Sequence, residues 1–193
     1  MKLPLNKINV TQIGGGLTVV EKVEILLFED NSGDAGLIEE MLEEFADFPY
    51  ELKNVETLKE GLSFLNERQF NVILSDLRLP DSDGIDTFLN IRARNSRIPI
   101  IILTASDDEK VGIDAVRKGA QDYLVKGQVD GRLLKRSLRY SIERKKAEEV
   151  LANIEIVRKK EIHHRIKNNL QVIYSLLDLQ AEMFRCRKDI QDS

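Results

Sequence analysis

The sequence predicts an α/β fold, a doubly wound five-stranded parallel sheet followed by a long C-terminal helical extension. Three observations predict it. Short apolar runs alternate with helical patterns five times between residues 22 and 130, which is the signature of βαβ units. Four of the five runs end in polar residues, as strands do at the ligand-binding edge of an open sheet. From Asp130 onward the apolar spacing stays helical and meets no Pro, and no Gly after Gly131.

The first strand covers residues 23–28 and ends in Glu29-Asp30. Asn31-Ser32 can cap the next helix, where Leu37, Ile38, Met41, Leu42 and Phe45 recur at helical spacing before Pro49 stops the run. Residues 50–55 form a second strand whose polar side chains suggest a sheet edge, and Leu58, Leu62 and Leu65 mark a helix to about Arg68. The third strand, 72–75, ends at Asp76, after which Pro80 and Gly84 force a loop. A helix over 85–93 turns Ile85, Phe88, Leu89 and Ile91 inward. Pro99 sits near the start of the fourth run, 98–103, where a missing N–H is tolerated, and that run ends at Thr104. Asp107-Asp108 begins a helix carrying Val111, Ile113 and Val116, closed by Gly119; the fifth strand, 123–125, ends at Lys126-Gly127. Five such units with right-handed crossovers give the flavodoxin-like strand order 2-1-3-4-5. Residues 1–21 lack periodicity, contain Gly14-Gly-Gly16, and are expected to be a flexible arm.

Composition excludes several classes. Hydrophobic residues make up 42% of the 193, enough for a core, while no run approaches the roughly 20 apolar residues of a membrane span. The first 20 residues have no apolar h-region, so no secretory signal is expected. The lone Cys186 rules out an internal disulfide framework, and a cytoplasmic location is the expectation. Charge is uneven: residues 132–167 hold twelve Lys/Arg against five Glu, which leaves the remainder acidic and hints at separate modules.

The strand ends bring Glu29, Asp30, Asp76, Thr104 and Lys126 to one edge. Three carboxylates there would repel one another unless a cation intervened, and oxygen ligands with room for water suit magnesium. A lysine and a hydroxyl beside them fit the oxygens of a phosphoryl group on Asp76, and aspartate can act as the nucleophile that forms an aspartyl-phosphate. Any one of these residues alone is more often a solvated loop residue; their combination is what points to chemistry.

These residues also carry a resemblance. Residues 22–140 look like a response-regulator receiver domain, through the acidic pair Glu29-Asp30, Asp76, Pro80, Gly84, Thr104-Ala105, Tyr123 and Lys126. The resemblance implies that Asp76 is the phosphoacceptor, and that Asp30, Asp76 and the backbone carbonyl of Arg78 bind Mg2+ with Glu29 assisting through water. It implies that Thr104 and Tyr123 form a switch pair, and that the phosphodonor is a histidine kinase or a small phosphorylated molecule. The chain departs from the family at Gly127, where a proline usually follows the lysine, often with a cis peptide. A non-proline cis bond costs about 2.5–4 kcal/mol, so that geometry is not expected here.

Beyond the sheet, residues 141–160 read as a helical linker with an imperfect seam around 145–148. In 161–193, Ile162, Ile166, Leu170, Ile173 and Leu177 line one face at spacings of four and three. At about 100° per residue His164 falls opposite that stripe and His163 beside it. His163-His-Arg-Ile-Lys-Asn-Asn-Leu-Gln resembles the H-box of the histidine-kinase subfamily with the motif His-Arg-x-Lys-Asn. The resemblance implies that His164 is a phosphoacceptor, that Arg165 and Asn168 assist it, and that the stripe makes a homodimer. The whole looks like the front part of a hybrid sensor kinase. No Gly-rich nucleotide cradle is present, so the chain is not expected to use ATP alone.

One alternative is a nucleic-acid-binding regulator using the basic 132–167 stretch, which would contact phosphates and weaken steeply with salt. The interleaved Glu residues and the missing helix-turn-helix turn weigh against it. Another is a flavin-binding protein of the same topology, but the acidic first loop repels phosphate.

Overall fold

Two short strands come first in the computed structural model, which describes residues 9–13, 16–20, 22–105 and 108–191. These are β1 (Asn9–Ile13) and β2 (Gly16–Val20), paired antiparallel with Val10 opposite Val19. The sequence reading assigned no regular structure here. The pairing follows from β-branched residues in two runs separated by Gly14-Gly15, a two-residue hairpin signal.

The main sheet contains β3 (Val23–Phe28), β4 (Tyr50–Val55), β5 (Val72–Asp76), β6 (Ile100–Thr104) and β7 (Asp122–Val125), all parallel. Their order is β4-β3-β5-β6-β7, which is 2-1-3-4-5 counted from β3. The connecting helices are α1 (Ser32–Phe45), α2 (Leu58–Glu67), α3 (Ile85–Arg94) and α4 (Glu109–Arg117), and α5 (Gly131–Gln191) follows the last strand. Pro99 lies one residue outside β6, and its carbonyl accepts from Ile73 N–H at 2.9 Å. Asp107 lies outside the described residues.

Alternation along the strands divides the core between the two sheet faces. Leu26, Phe28, Ile73 and Ile102 pack with Leu58, Phe88, Ile91 and Ala115, while Ile25, Leu27, Leu74 and Leu103 pack with Ile38, Leu42, Leu134 and Leu138. Central β5 is buried on both sides, as its continuous apolar run requires.

Three helices bury a different set of residues from the one expected. Leu37, Leu89, Ile113 and Val116 are exposed. On α3 the inner positions are Thr87, Phe88 and Ile91, and on α4 they are Gly112 and Ala115. On α4 the physical reason is space: a Cβ at Gly112 would lie 3.0 Å from Thr104 Cγ2 and from Tyr123 Cδ2, so the helix approaches the sheet through its smallest residues.

Contacts divide the chain into two compact units, 1–146 and 147–193. In the first, Leu134, Leu138 and Ser141 of α5 are buried. In the second, every described side chain is exposed. Among the described residues no helix is long and apolar enough to cross a membrane.

Candidate functional site

Register brings the candidate residues to one edge. Phe28 stands opposite Ser75, Asp76 opposite Leu103, and Thr104 opposite Val125, so the residues that end or follow β3, β5, β6 and β7 emerge together. Lys126 N–H donates to the Thr104 carbonyl at 2.7 Å and Glu29 N–H to the Val55 carbonyl at 2.9 Å, which extends the ladder to the site.

Lys126 Nζ lies 2.5 Å from Asp76 Oδ2, 2.6 Å from Glu29 Oε2 and 2.8 Å from Asp34 Oδ2. An ammonium has three donors, and here three carboxylates surround it. Burial alone would lower the Lys126 pKa, but hydrogen bonds to Asp34, Asp76 and Glu29 outweigh it and push the value up. Glu29 is only 1% exposed, and burial raises its carboxyl above the usual range despite Lys126.

Ligand oxygens of Glu29, Asp30 and Asp76 all lie within 4.8 Å of one another. The donor set is carboxylate oxygen throughout, which fits magnesium. A cleft of about 350 Å³ opens over these residues, lined also by Asn31, Asp34, Arg78, Pro80 and Lys126. The other Asp76 oxygen, Oδ1, accepts from Arg78 N–H at 2.9 Å. Asp76 is therefore held at both oxygens before any ligand arrives.

Thr104 ends β6 only 1% exposed, and its Oγ1 has no hydrogen-bond partner. A buried unpartnered hydroxyl costs about 1–3 kcal/mol, and an arriving oxygen acceptor would remove that cost. Tyr123 Oη donates to Glu109 Oε1 at 3.1 Å; this bond first, then burial, raises the phenol pKa. Both switch candidates face the backbone of Gly112.

Gly127 has φ +80°, a region that strains any L side chain. No described peptide bond is cis. Lys126 is thus held by carboxylates, among them Asp34, which sequence reasoning missed. Its signal was position: with Asn31 as N-cap, Asp34 is the third residue of α1. A carboxylate there usually turns back to the N-cap N–H, but Asn31 N–H already donates to Glu29 Oε1 at 3.2 Å.

His163 and His164 are both exposed in the second unit, as are Ile162, Ile166, Leu170, Ile173 and Leu177. Asn168 Nδ2 lies 3.3 Å from His164 Nδ1, and Arg165 pairs with Glu161 at 2.5 Å.

Residues 25–138 match the family model of the response regulator receiver domain, and residues 161–191 match one described as histidine kinase. The transcriptional regulatory protein ZraR of Escherichia coli O157:H7 is 29% identical over 106 residues, 55% of this chain and 23% of that protein. The DNA-binding transcriptional regulator NtrC of Proteus hauseri is 39% identical over 71 residues, 37% of this chain and 15% of that one. The chain thus spans about a quarter or less of these relatives. Among solved structures, the receiver domain of a sensor histidine kinase from Pseudomonas aeruginosa PAO1, with magnesium coordinated in its active site cleft, is 32% identical with a TM-score of 0.54. That likeness covers 63% of this chain and 98% of that one. A response regulator receiver domain from Clostridium thermocellum is 28% identical, TM-score 0.58, over 65% and 98%.

Proposed function

The chain belongs to the response regulator receiver domain family through residues 25–138, and from that premise we propose that its working step is phosphoryl transfer to Asp76 in two-component signalling. An Asp76 oxygen attacks phosphorus as the donor's P–N or P–O bond breaks; the leaving imidazole or carboxylate takes the electron pair. The observation that carries this is the three-way contact of Lys126 with Asp76, Glu29 and Asp34 beside the Glu29-Asp30-Asp76 oxygen cluster. Lys126 remains as the fixed positive charge beside the incoming phosphoryl oxygens, and Thr104 Oγ1 donates to one of them. Asp30, Asp76 and the Arg78 carbonyl would hold Mg2+, with Glu29 acting through water. When bound, that ion neutralises charge on the transferring group. Capture of the Thr104 hydroxyl frees space for Tyr123 to reorient, a two-packing switch biased by new phosphate contacts.

Downstream, we propose domain limits of 22–140 for the receiver, 141–160 for a helical linker and 161–193 for an H-box segment of the His-Arg-x-Lys-Asn type. His164 is the second phosphoacceptor, and the layout is that of a hybrid kinase. The exposed stripe on α5 supports a homodimer through that helix, with a histidine kinase as phosphodonor. The lone Cys186 supports a cytoplasmic setting.

The test is labelling by radiolabelled acetyl phosphate with magnesium. Label released by hydroxylamine, mapped to Asp76 and lost in Asp76→Asn, is the expected result. Label that survives the substitution overturns the assignment.

A further inference from the structure

The loop after Asp76 makes a contact that the chemistry above does not use. Asp81 Oδ1 accepts from Leu58 N–H at 2.7 Å and Asp81 Oδ2 from Lys59 N–H at 2.9 Å. Both donors belong to the first turn of α2, where backbone N–H groups have no partner inside the helix. The helix is already capped by its own residue, since Thr57 Oγ1 accepts from Glu60 N–H at 3.2 Å. Asp81 therefore links two elements rather than finishing one.

The loop is closed on itself beside that link. Leu79 N–H donates to the Ser82 carbonyl at 2.8 Å, and Ser82 N–H returns to the Leu79 carbonyl at 3.2 Å, with Asp81 inside the turn. Behind it, Thr87 Oγ1 donates to the Leu77 carbonyl at 2.9 Å and lies 2.8 Å from Ser82 Oγ. In front, Arg78 N–H is fixed to Asp76 Oδ1. The Arg78 carbonyl is thus carried on a short segment anchored to β5, to α3 and, through Asp81, to α2.

We propose that Asp81 is a positioning residue for metal binding. Its bidentate grip on α2 holds the turn so that the Arg78 carbonyl sits ready for the ion, and this sets the affinity for Mg2+. A ligand held in place beforehand loses less freedom on binding. The proposal rests on the metal-site assignment made above, and its test separates the two.

The measurement is calorimetric titration of the full chain with Mg2+ and no phosphodonor. Asp81→Ala is expected to weaken Mg2+ binding about tenfold, and Asp81→Asn, which keeps one oxygen acceptor, by less. The difference is expected to persist at high salt, where a distant charge would be screened. Thr57→Ala removes the other cap of α2 and is expected to lower the thermal midpoint without moving Mg2+ affinity. An Asp81→Ala chain that binds like the wild type overturns the proposal, as does an equal loss in Thr57→Ala, which would trace the effect to helix stability. A wild-type chain that takes no Mg2+ overturns the metal-site assignment and the tether with it.

Discussion

Asp34 Oδ2 stands 2.8 Å from Lys126 Nζ, reaching across from the first turn of α1 to the residue that follows β7. In the proposed transfer, Asp76 exchanges its lysine contact for a phosphoryl group, and the contacts of Asp34 and Glu29 with Lys126 would keep the ammonium in place. Asp34→Asn is expected to slow labelling by acetyl phosphate several-fold, with Asp34→Glu recovering part of the loss. Asp34 is partly exposed, so the stability cost stays within the surface-pair range of about 0–1 kcal/mol. Unchanged labelling kinetics in Asp34→Asn would show that Asp76 and Glu29 suffice.

Gly112 tests the proposed switch pair, Thr104 and Tyr123, without touching Asp76. A methyl there meets Thr104 Cγ2 and the Tyr123 ring at 3.0 Å. Overpacking of this kind costs about 1–3 kcal/mol, and Gly112→Ala is expected to move the ring off Glu109. The readout is the tyrosinate absorbance change on alkaline titration. The Glu109 bond holds the Tyr123 phenol above its usual range, so the neutral form is favoured by folding. That contribution is present below the ordinary tyrosine pKa and lost as pH rises through the folded value. Gly112→Ala and Glu109→Gln are both expected to shift one tyrosine's titration downward; no shift in either would detach Tyr123 from Glu109.

Strand order, and the gathering of Glu29, Asp30, Asp76, Thr104 and Lys126 at the strand ends, were legible because both follow from short-range pattern. An apolar run ending in Asp76 or Lys126 fixes where that side chain emerges, and register does the rest. The face buried by α4 was not legible, since periodicity favoured Val111, Ile113 and Val116 over the small Gly112 and Ala115 that allow close approach. Asp34 and Asp81 were missed for another reason. Each is a loop or first-turn acid whose meaning lies in a partner 92 or 23 residues away; local spacing places the acid on its element and does not reach the distant residue it meets.

On α5 the stripe of Ile162, Ile166, Leu170, Ile173 and Leu177 is exposed. Such a face is stable in water when a second helix covers it. Sedimentation of the wild type is expected to give a dimer, and the double substitution Ile166→Lys and Leu170→Lys a monomer with the receiver still folded. With a supplied kinase core and ATP, His164→Gln is expected to lose acid-labile label and His163→Gln to keep it. Loss in His163→Gln alone would move the acceptor by one position.

Lys126→Ala leaves buried Glu29 without its cation. Unpairing a buried ion costs about 3–5 kcal/mol, and the partial exposure of Lys126 places this site near the lower end. A carboxyl whose folded pKa is raised binds its proton more tightly folded than unfolded. Stability therefore falls as pH rises from the ordinary glutamate value through the folded one. Without Lys126 the Glu29 value moves further up, so the window widens toward neutrality. Urea denaturation is expected to show the variant well below the wild type at about pH 7 and the gap narrowing toward about pH 5. Mg2+ is expected to restore part of the loss at neutral pH, because it binds the folded carboxylate cluster and not the unfolded chain. A gap independent of both pH and Mg2+ would mean that the lysine stabilises the fold by packing, and that the acids at the strand ends do not form one electrostatic unit.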